Sequence, residues 1–361
     1  VFERTNYEGP RFGETLGPEI RPLLEQIGAW DSFIAAPHVP CRSILSCWGG
    51  PSLVERSSIY HPLGEGWHVD RAATDRFVAQ AAGESGVELF RGTDACGIAR
   101  TDSGWCVTPA HGPVISARFL IDASGRGAPA TASFFNQREW RRFDKLIAIS
   151  ASLPSAKQST ANGELLLEAS EYGWWYSAPQ PDGSFIVTYL TDADLLPEGG
   201  RKALEQEWSR ALASTIYTAA RVESLRESND GEVLRTTRAD SGALFPACGE
   251  GWLAIGDAAM AWDPLSGSGF ARALKASGIP TDPGSAIDFA RAAATFESEY
   301  IFCWLDWDGD NVLTDGSIID YGSVRQFGLY HHGYRFEDPD RRSEEHTSEL
   351  QSHHDLVCRL L

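Results

Sequence analysis

The residues of this 361-residue chain best suited to chemistry lie between Gly251 and Gly269, in GWLAIGDAAMAWDPLSGSG, which runs on into FARALKASG. Trp252 to Ile255 is an apolar run with the character of a buried strand, Gly256 and Asp257 end it, and Pro264 with Gly267 and Gly269 opens a helix. A carboxylate at the tip of a buried strand is an acceptor for a sugar or ribityl hydroxyl. A glycine-lined helix start presents N–H groups without intrahelical partners, sits at the positive end of a dipole, and lets backbone approach an anionic or electron-rich group closely. Asp257, Pro264, Gly267, Ser268, Gly269 and Phe270 are therefore candidate cofactor-binding residues.

A second acid has a matching context. The opening VFERTNYEGPRFGETLGPEIRPLLEQIGAW reads as the end of a strand, a loop, and an amphipathic helix with Ile20, Leu23, Leu24 and Ile27 on one side. In a dinucleotide-binding βαβ unit, an acid at the end of the second strand takes the adenosine ribose hydroxyls, about 20 residues after GxGxxG. Glu3 stands where that acid belongs. On this reading the first strand, its glycine loop and its helix are expected upstream of Val1. A chain that begins at Val1 and has Met260 as its single methionine is then expected to lack its natural start and to hold cofactor poorly.

The order GDAA, DP, SGxGF resembles the flavin-binding end of the aromatic hydroxylase and tryptophan halogenase superfamily of FAD proteins. The resemblance implies FAD as cofactor, Asp257 on its ribityl chain, and Pro264 to Phe270 along the isoalloxazine ring. RFGETL, Arg11 to Leu16, resembles the GE[ST]L-type segment of the same superfamily, which implies that Glu14 and Thr15 lie beside the flavin. WHVDRAATDRFVAQAAGESGVELF resembles the superfamily's return into its FAD domain and implies Arg71 near the cofactor; its residues themselves suggest a short strand, an N-capped helix from about Thr74, and a strand at Val87 to Phe90. FLIDASGRG reads as an apolar strand with a tight turn, and the resemblance makes Asp122, Ala123 and Gly125 packing neighbours of the pyrophosphate.

The same resemblance frames the reaction. Both hydroxylases and halogenases of this kind form a C4a-peroxyflavin from reduced FAD and oxygen, and the protein selects what meets it. Halogenases also carry a lysine between flavin and substrate soon after the GE[ST] segment, whereas the first lysine here is Lys145. Their GWxWxIP signature appears as Gly173-Trp174-Trp175-Tyr176-Ser177-Ala178-Pro179, with Tyr176 and Ala178 in place of tryptophan and isoleucine. CWGG, GWHVDR and GWWYSAP followed by LTDAD look more like the monooxygenases that mature quinone cofactors in amine and amino-acid oxidases. The implied function is an FAD-dependent, monooxygenase-type oxidoreductase that hydroxylates an aromatic small molecule or a peptidyl tryptophan, fed by NAD(P)H or a flavin reductase; the alternative is a halogenase. No catalytic acid or base is assigned: His38, His61, His68 and His111 fall in or beside expected strands, where a lone histidine is ordinarily a hydrogen-bonded structural residue.

These residues need a scaffold, and the rest of the chain is read for it. Segments KLIAISASL, ELLLEASEYGWWYSAP and GSFIVTYLTDAD alternate as an antiparallel sheet, Cys41 to Tyr60 adds strands to it, and Arg201 to Ala220 reads as one helix. The expected fold is α/β (α+β overall), a Rossmann-like FAD-binding domain lacking its first β-α unit, interleaved with an antiparallel β-sheet substrate domain. The FAD domain is assigned to 1–40, 67–140 and 235–300, and the substrate side to 41–66 and 141–234. A formal net charge of −19 argues against nucleic acid or an anionic membrane as partner. Seven cysteines with neither a CxxC pair nor a metal-ligand pattern suit reduced thiols, a cytoplasmic location and no metal. Twelve tryptophans and seventeen phenylalanines suit an aromatic-lined pocket as well as a core.

Two terminal stretches fall outside that scheme. Asp306, Asn311 and Asp320-Tyr321-Gly322 resemble the metal- and nucleotide-holding segment of selenoprotein O-like protein adenylyltransferases. Residues 301–341 are thus expected to be a foreign kinase-like fragment, which opens a reading of another class, an ATP-dependent nucleotidyl or phosphoryl transferase. RSEEHTSELQS, Arg342 to Ser352, resembles a translated sequencing adapter, so 342–361 is expected to be an artefactual tail and the whole a chimera.

Overall fold

A computed structural model describes residues 1–9, 11, 15–126, 139–154, 163–225, 233–277, 302–304 and 324–326. The chain divides into two compact units, Val1–Gly278 and Ile279–Leu361. The first unit begins with β1 (Phe2–Glu3), β2 (Thr15–Leu16), α1 (Ile20–Gln26), α2 (Trp30–Ile34), β3 (Val39–Cys41), β4 (Ser43–Cys47), β5 (Val54–Ser57) and β6 (Gly66–His68). It continues with α3 (Arg71–Glu84), β7 (Phe90–Arg91), β8 (Ala95–Thr101), β9 (Gly104–Pro109), β10 (Ile115–Ala117), β11 (Leu120–Asp122), β12 (Glu139–Arg142) and β13 (Leu146–Leu153). Then come β14 (Glu164–Ser170), β15 (Gly173–Pro179), β16 (Phe185–Asp192), α4 (Gly200–Ala213), α5 (Tyr217–Leu225), β17 (Arg235–Arg238) and β18 (Gly242–Phe245). The last elements of this unit are β19 (Cys248–Gly249), β20 (Trp252–Ala254), β21 (Met260–Ala261) and α6 (Gly269–Ser277).

The α/β half is built on parallel pairs. β20, buried along its length, lies parallel to β11 with Asp122 opposite Ala254, and β1 lies parallel to β7 with Glu3 opposite Arg91. Parallel strands covered on both faces read as continuous apolar runs, which is why WLA needs no alternation. Ile20 and Leu24 of α1 are buried with Leu16, Phe33 and Val69, and Phe270 and Leu274 of α6 pack on that cluster.

The other half is a seven-stranded sheet in the order β17-β13-β16-β15-β14-β4-β5. Side chains alternate across it with period two. One face carries Ile149, Trp175, Val187 and Tyr189 and is covered by Trp208 and Leu212 of α4 and Val222 of α5. Trp175 stacks on Tyr189 at 4.8 Å between ring centroids and meets Trp208 edge-on at 5.3 Å. The opposite face carries Trp174 with Leu190, and Ala178 with Leu165 and Ile186.

The structure differs from the sequence reading at four places. α3 starts at Arg71, because the carboxylate of Asp70 accepts from the Ala73 N–H at 3.1 Å; Thr74 is already inside the first turn, its hydroxyl donating to the Asp70 carbonyl at 2.8 Å. The strand expected at Val87 to Phe90 is only Phe90–Arg91, the length that β1 can pair. The single helix expected over Arg201 to Ala220 is two. The break comes where buried Glu168 reaches in from β14 and takes the N–H groups of Ile216, Tyr217 and Thr218 at 2.6–3.2 Å. Finally, the sheet is not wholly antiparallel, since β14 runs parallel to β4.

In the second unit Phe302–Trp304 pairs antiparallel with Val324–Gln326. Asp306, Asn311 and Asp320, and the segment Arg342 to Ser352, lie outside the described residues. No described helix is long and apolar enough to cross a membrane.

Candidate functional site

β20 ends in a turn at Gly256–Ala258, and α6 then packs back on that turn. Gly256, at φ +57°, faces α6: a Cβ there would stand at ordinary contact distance, 3.6 Å, from the Cβ of Ala273, so the left-handed backbone rather than lack of space favours glycine. This packing brings the Asp257 carboxylate and the start of α6 to one place. Between them, Asp263 caps the short turn Pro264–Ser266 by accepting from the Leu265 N–H at 2.9 Å. Burial pushes the Asp263 carboxyl pKa above its ordinary value, against the pull of that N–H bond. Gly267 takes the left-handed conformation, φ +61°, and both Gly267 and Gly269 border open space: a Cβ at either would meet nothing within 4 Å. The exposed turn 264–267 thus offers bare backbone at the start of a nine-residue helix.

Asp257 is held by a residue that motif reading passed over. Arg126, just after the β11 turn, donates through Nε to the Asp257 Oδ2 at 3.1 Å, through Nη1 to the Asp240 carbonyl at 2.9 Å, and through Nη2 to the Trp262 carbonyl at 2.5 Å. One guanidinium therefore ties the turn after β20 to the segment that returns from the large sheet. The Asp257 side chain keeps 40% of its surface exposed. Asp122 is buried and accepts from the Ser124 N–H at 3.0 Å, while its carbonyl takes the Ile255 N–H at 2.9 Å, a structural role at the head of the parallel pair.

Arg71 joins the same region from α3. Its guanidinium lies 5.0 Å over the Phe270 ring and donates to Asp75 at 3.2 Å. Asp75 also takes Arg11 at 2.7 Å, and Arg11 in turn lies 3.6 Å from Glu3. Glu3, at the end of β1, is thereby linked through Arg11, Asp75 and Arg71 to the start of α6. The Glu3 carboxylate also accepts from the Thr5 N–H at 2.8 Å. Tyr7, the one described non-glycine residue with positive φ, is buried with Arg11 and Arg91 at 5.1 and 5.6 Å from its ring. The sequence reading singled out neither Tyr7 nor Arg11 for this cluster, since only the fold brings Arg91 and Asp75 to them.

Thr15 and Glu14 part company. Glu14 lies outside the described residues. Thr15 faces the large sheet: its hydroxyl is 2.8 Å from His68 Nδ1 and 2.9 Å from the Tyr176 hydroxyl, and His68 Nε2 is 3.0 Å from the Gly163 carbonyl. His68 is fully buried, and burial lowers its pKa to about 4. The sequence reading took His68 as a hydrogen-bonded structural histidine and named no partners for it; they come from β2 and from the approach to β14. Among the described residues no group of three His, Cys, Asp or Glu side chains is arranged to hold a metal ion.

No protein-family profile matches the chain. Among curated proteins it is 26% identical over 279 residues to LodB of Marinomonas mediterranea, named as a FAD-dependent oxidoreductase, covering 76% of this chain and 74% of LodB. It is 22% identical over 326 residues to a tryptophan 2-halogenase of Chondromyces crocatus, covering 85% of this chain and 61% of that protein. Among solved structures it superposes on the flavin-dependent halogenase CmlS with a TM-score of 0.67 at 21% identity, over 82% of this chain and 53% of CmlS. On the peptidyl tryptophan dihydroxylase QhpG the TM-score is 0.61 at 21% identity, over 82% of this chain and 60% of QhpG. The chain thus spans little more than half the length of several of these proteins. Its homologues and structural neighbours are FAD-dependent oxidoreductases and flavin-dependent halogenases, and its fold is theirs.

Proposed function

We propose that this chain, which shares the fold of flavin-dependent halogenases and of a tryptophan dihydroxylase, binds FAD at the Asp257 turn and the start of α6 and serves oxygenation of an electron-rich aromatic substrate. The observation that carries the reading is the glycine-lined, sterically open start of α6 laid against a half-exposed strand-tip carboxylate. A flavin fits that donor set. The N–H groups of the first turn and the helix dipole suit the electron-rich edge of an isoalloxazine, and Asp257 suits a ribityl hydroxyl. Gly267 and Gly269 leave room for a ring to lie on the backbone, and Arg71 on Phe270 adds fixed positive charge nearby. Glu3, 27% exposed at the end of its strand, suits the ribose hydroxyls.

When bound, FAD would supply the redox chemistry and oxygen activation that side chains lack. The protein's part is to orient and to exclude water. Trp174, Leu190 and Ala178, on the sheet face away from α4 and α5, are buried in packed apolar clusters and hold that face of the sheet together. Peptidyl tryptophan, the substrate in the name of QhpG, and carrier-protein-bound pyrrole, in the names of two halogenating relatives, are the substrate classes to test. NAD(P)H or a separate flavin reductase would supply the electrons.

Titrating the chain with FAD and following flavin absorbance and fluorescence quenching tests the reading. Saturable binding weakened about tenfold by Asp257→Ala, the cost of one hydrogen bond, is expected; a wild-type chain that leaves the flavin signal unchanged sinks it. Halogenation is the second reading, supported by the number of halogenases among the relatives. Product formation that requires chloride or bromide would decide for it over hydroxylation.

A further inference from the structure

An open cavity of about 620 Å³ lies between α1, α2, the end of β5, the turn after it and β6. Its size is that of a small-molecule site, and none of its lining residues belongs to the Asp257 turn or to α6. The two helices bury Leu24 and Phe33 in the apolar cluster that also holds Trp30 and Trp67, so part of the lining is fixed by the core beneath it. Ser58 anchors another part: its N–H and its hydroxyl both donate to the Arg42 carbonyl at 2.8 Å.

The lining has two chemistries. Its water-facing apolar part is aliphatic: Ile34, Ile59 and Leu63 are 47, 79 and 39% exposed, three large apolar side chains gathered at one place. Trp30 already has Phe33 stacked on its ring at 5.5 Å and Arg21 over it at 5.4 Å, and Trp67 meets Trp30 edge-on. A flexible alkyl body covers such a lining without needing a ring face to stack on. The polar part is cationic. Arg21 and Arg42 line the cavity against one carboxylate, Glu65, in a chain whose formal net charge is −19. Arg21 gives its Nε–H to Glu25 at 2.9 Å and Arg42 gives its own to Glu65 at 3.3 Å. Both pairs lie at the surface and contribute little, and among the described residues no other carboxylate meets the Nη groups of either guanidinium. An apolar body with one carboxylate matches both parts of the lining, while Glu65 disfavours a second negative charge.

We propose that this cavity is a binding site for an aliphatic monocarboxylate of the fatty-acid type, its chain laid on Ile34, Ile59 and Leu63 and its carboxylate taken by Arg21 and Arg42. The site is separate from the proposed flavin turn and does not rest on it. The test is calorimetric titration of the full chain with three probes: octanoate, octanamide, which has the same chain and no charge, and acetate, which has the charge and no chain. The wild type is expected to take up octanoate saturably, about tenfold more tightly than octanamide, the worth of one charge-assisted hydrogen bond, and to give no binding heat with acetate. The double variant Arg21→Gln/Arg42→Gln should bind octanoate and octanamide alike, and Ile59→Ser should weaken both. Arg141→Gln, which removes a comparably exposed arginine on β12 outside the cavity lining, should change neither. All four side chains are exposed, so these variants leave the core intact. A wild type that binds octanoate no better than octanamide or acetate overturns the proposal. So does a double arginine variant that keeps the preference, an Ile59→Ser variant that binds as the wild type does, or an Arg141→Gln variant that loses the preference.

Discussion

At the scale of single residues, His68 shows how burial selects a protonation state. Burial withdraws its imidazole from water and the positive charge of Arg221 further disfavours a second proton; together they outweigh the bond to the Gly163 carbonyl, which favours the protonated form, so its pKa falls from 6.5 to about 4. The unfolded chain therefore binds more protons than the folded one between those two values. Stability contributed by the neutral histidine is complete above about pH 6.5 and is lost as pH falls toward 4, by about 3 kcal/mol in total. Urea midpoints measured from pH 7 to pH 4.5 should fall in the wild type, and His68→Gln should flatten that decline; a parallel decline in both would contradict the assignment. Gly163 makes a second residue-scale prediction. It holds φ +76°, and a Cβ there would stand 2.0 Å from the Pro40 carbonyl oxygen. Gly163→Ala should cost at least about 2 kcal/mol in denaturant unfolding, from backbone strain and from displacement of the His68 acceptor.

At the scale of elements, the junction of α4 and α5 depends on a carboxylate supplied from elsewhere. Glu168 is 2% exposed on β14, yet it accepts from three successive N–H groups and from the Thr218 hydroxyl at 2.8 Å. It acts as the N-cap of α5 from across the sheet, and the helix dipole adds to the hydrogen bonds. Glu168→Ala should destabilise by about 3 kcal/mol, because it leaves several buried donors unpaired, and Glu168→Gln by less, since the amide oxygen still accepts. Thermal unfolding of the wild type and the two variants orders them; a Glu168→Ala melting temperature equal to that of the wild type would show that the cap contributes nothing. The same logic explains why periodicity ran the two helices together. Arg201 to Ala220 has the composition of a continuous helix, and the break is made by a residue about 50 positions away in sequence.

At the scale of the whole molecule, a formal net charge of −19 sets how the protein meets charged surfaces. The chain should be retained on an anion-exchange matrix at pH 7 and pass through heparin at low salt; retention on heparin would reveal a basic face that the total hides. Within Val1–Gly278, the large sheet presents one face to α4 and α5 and the other, with Trp174 and Tyr176, away from them. Arg126 and the Tyr176–Thr15–His68 chain tie that sheet to the strands bearing the candidate flavin site. Arg126→Met should therefore weaken FAD binding without touching a flavin-contacting atom, by releasing Asp257; flavin affinity equal to wild type would break that link.

The parts legible in the sequence alone were those whose cause is local. A buried apolar run ended by Gly256-Asp257, the glycine turn before α6, the alternation of β13, β15 and β16, and the apolar side of α1 each follow from steric and hydrophobic preferences acting over a few residues. Those same residues carried the resemblance to FAD proteins, and the fold agrees with it. Contacts between distant segments were not legible. Arg126 on Asp257, Glu168 under α5, Arg71 on Phe270 and Thr15 between His68 and Tyr176 join residues from 48 to 199 positions apart for a physical reason: a side chain's hydrogen-bond partner is chosen by whichever backbone the packed core carries past it, and the core is assembled from the entire unit.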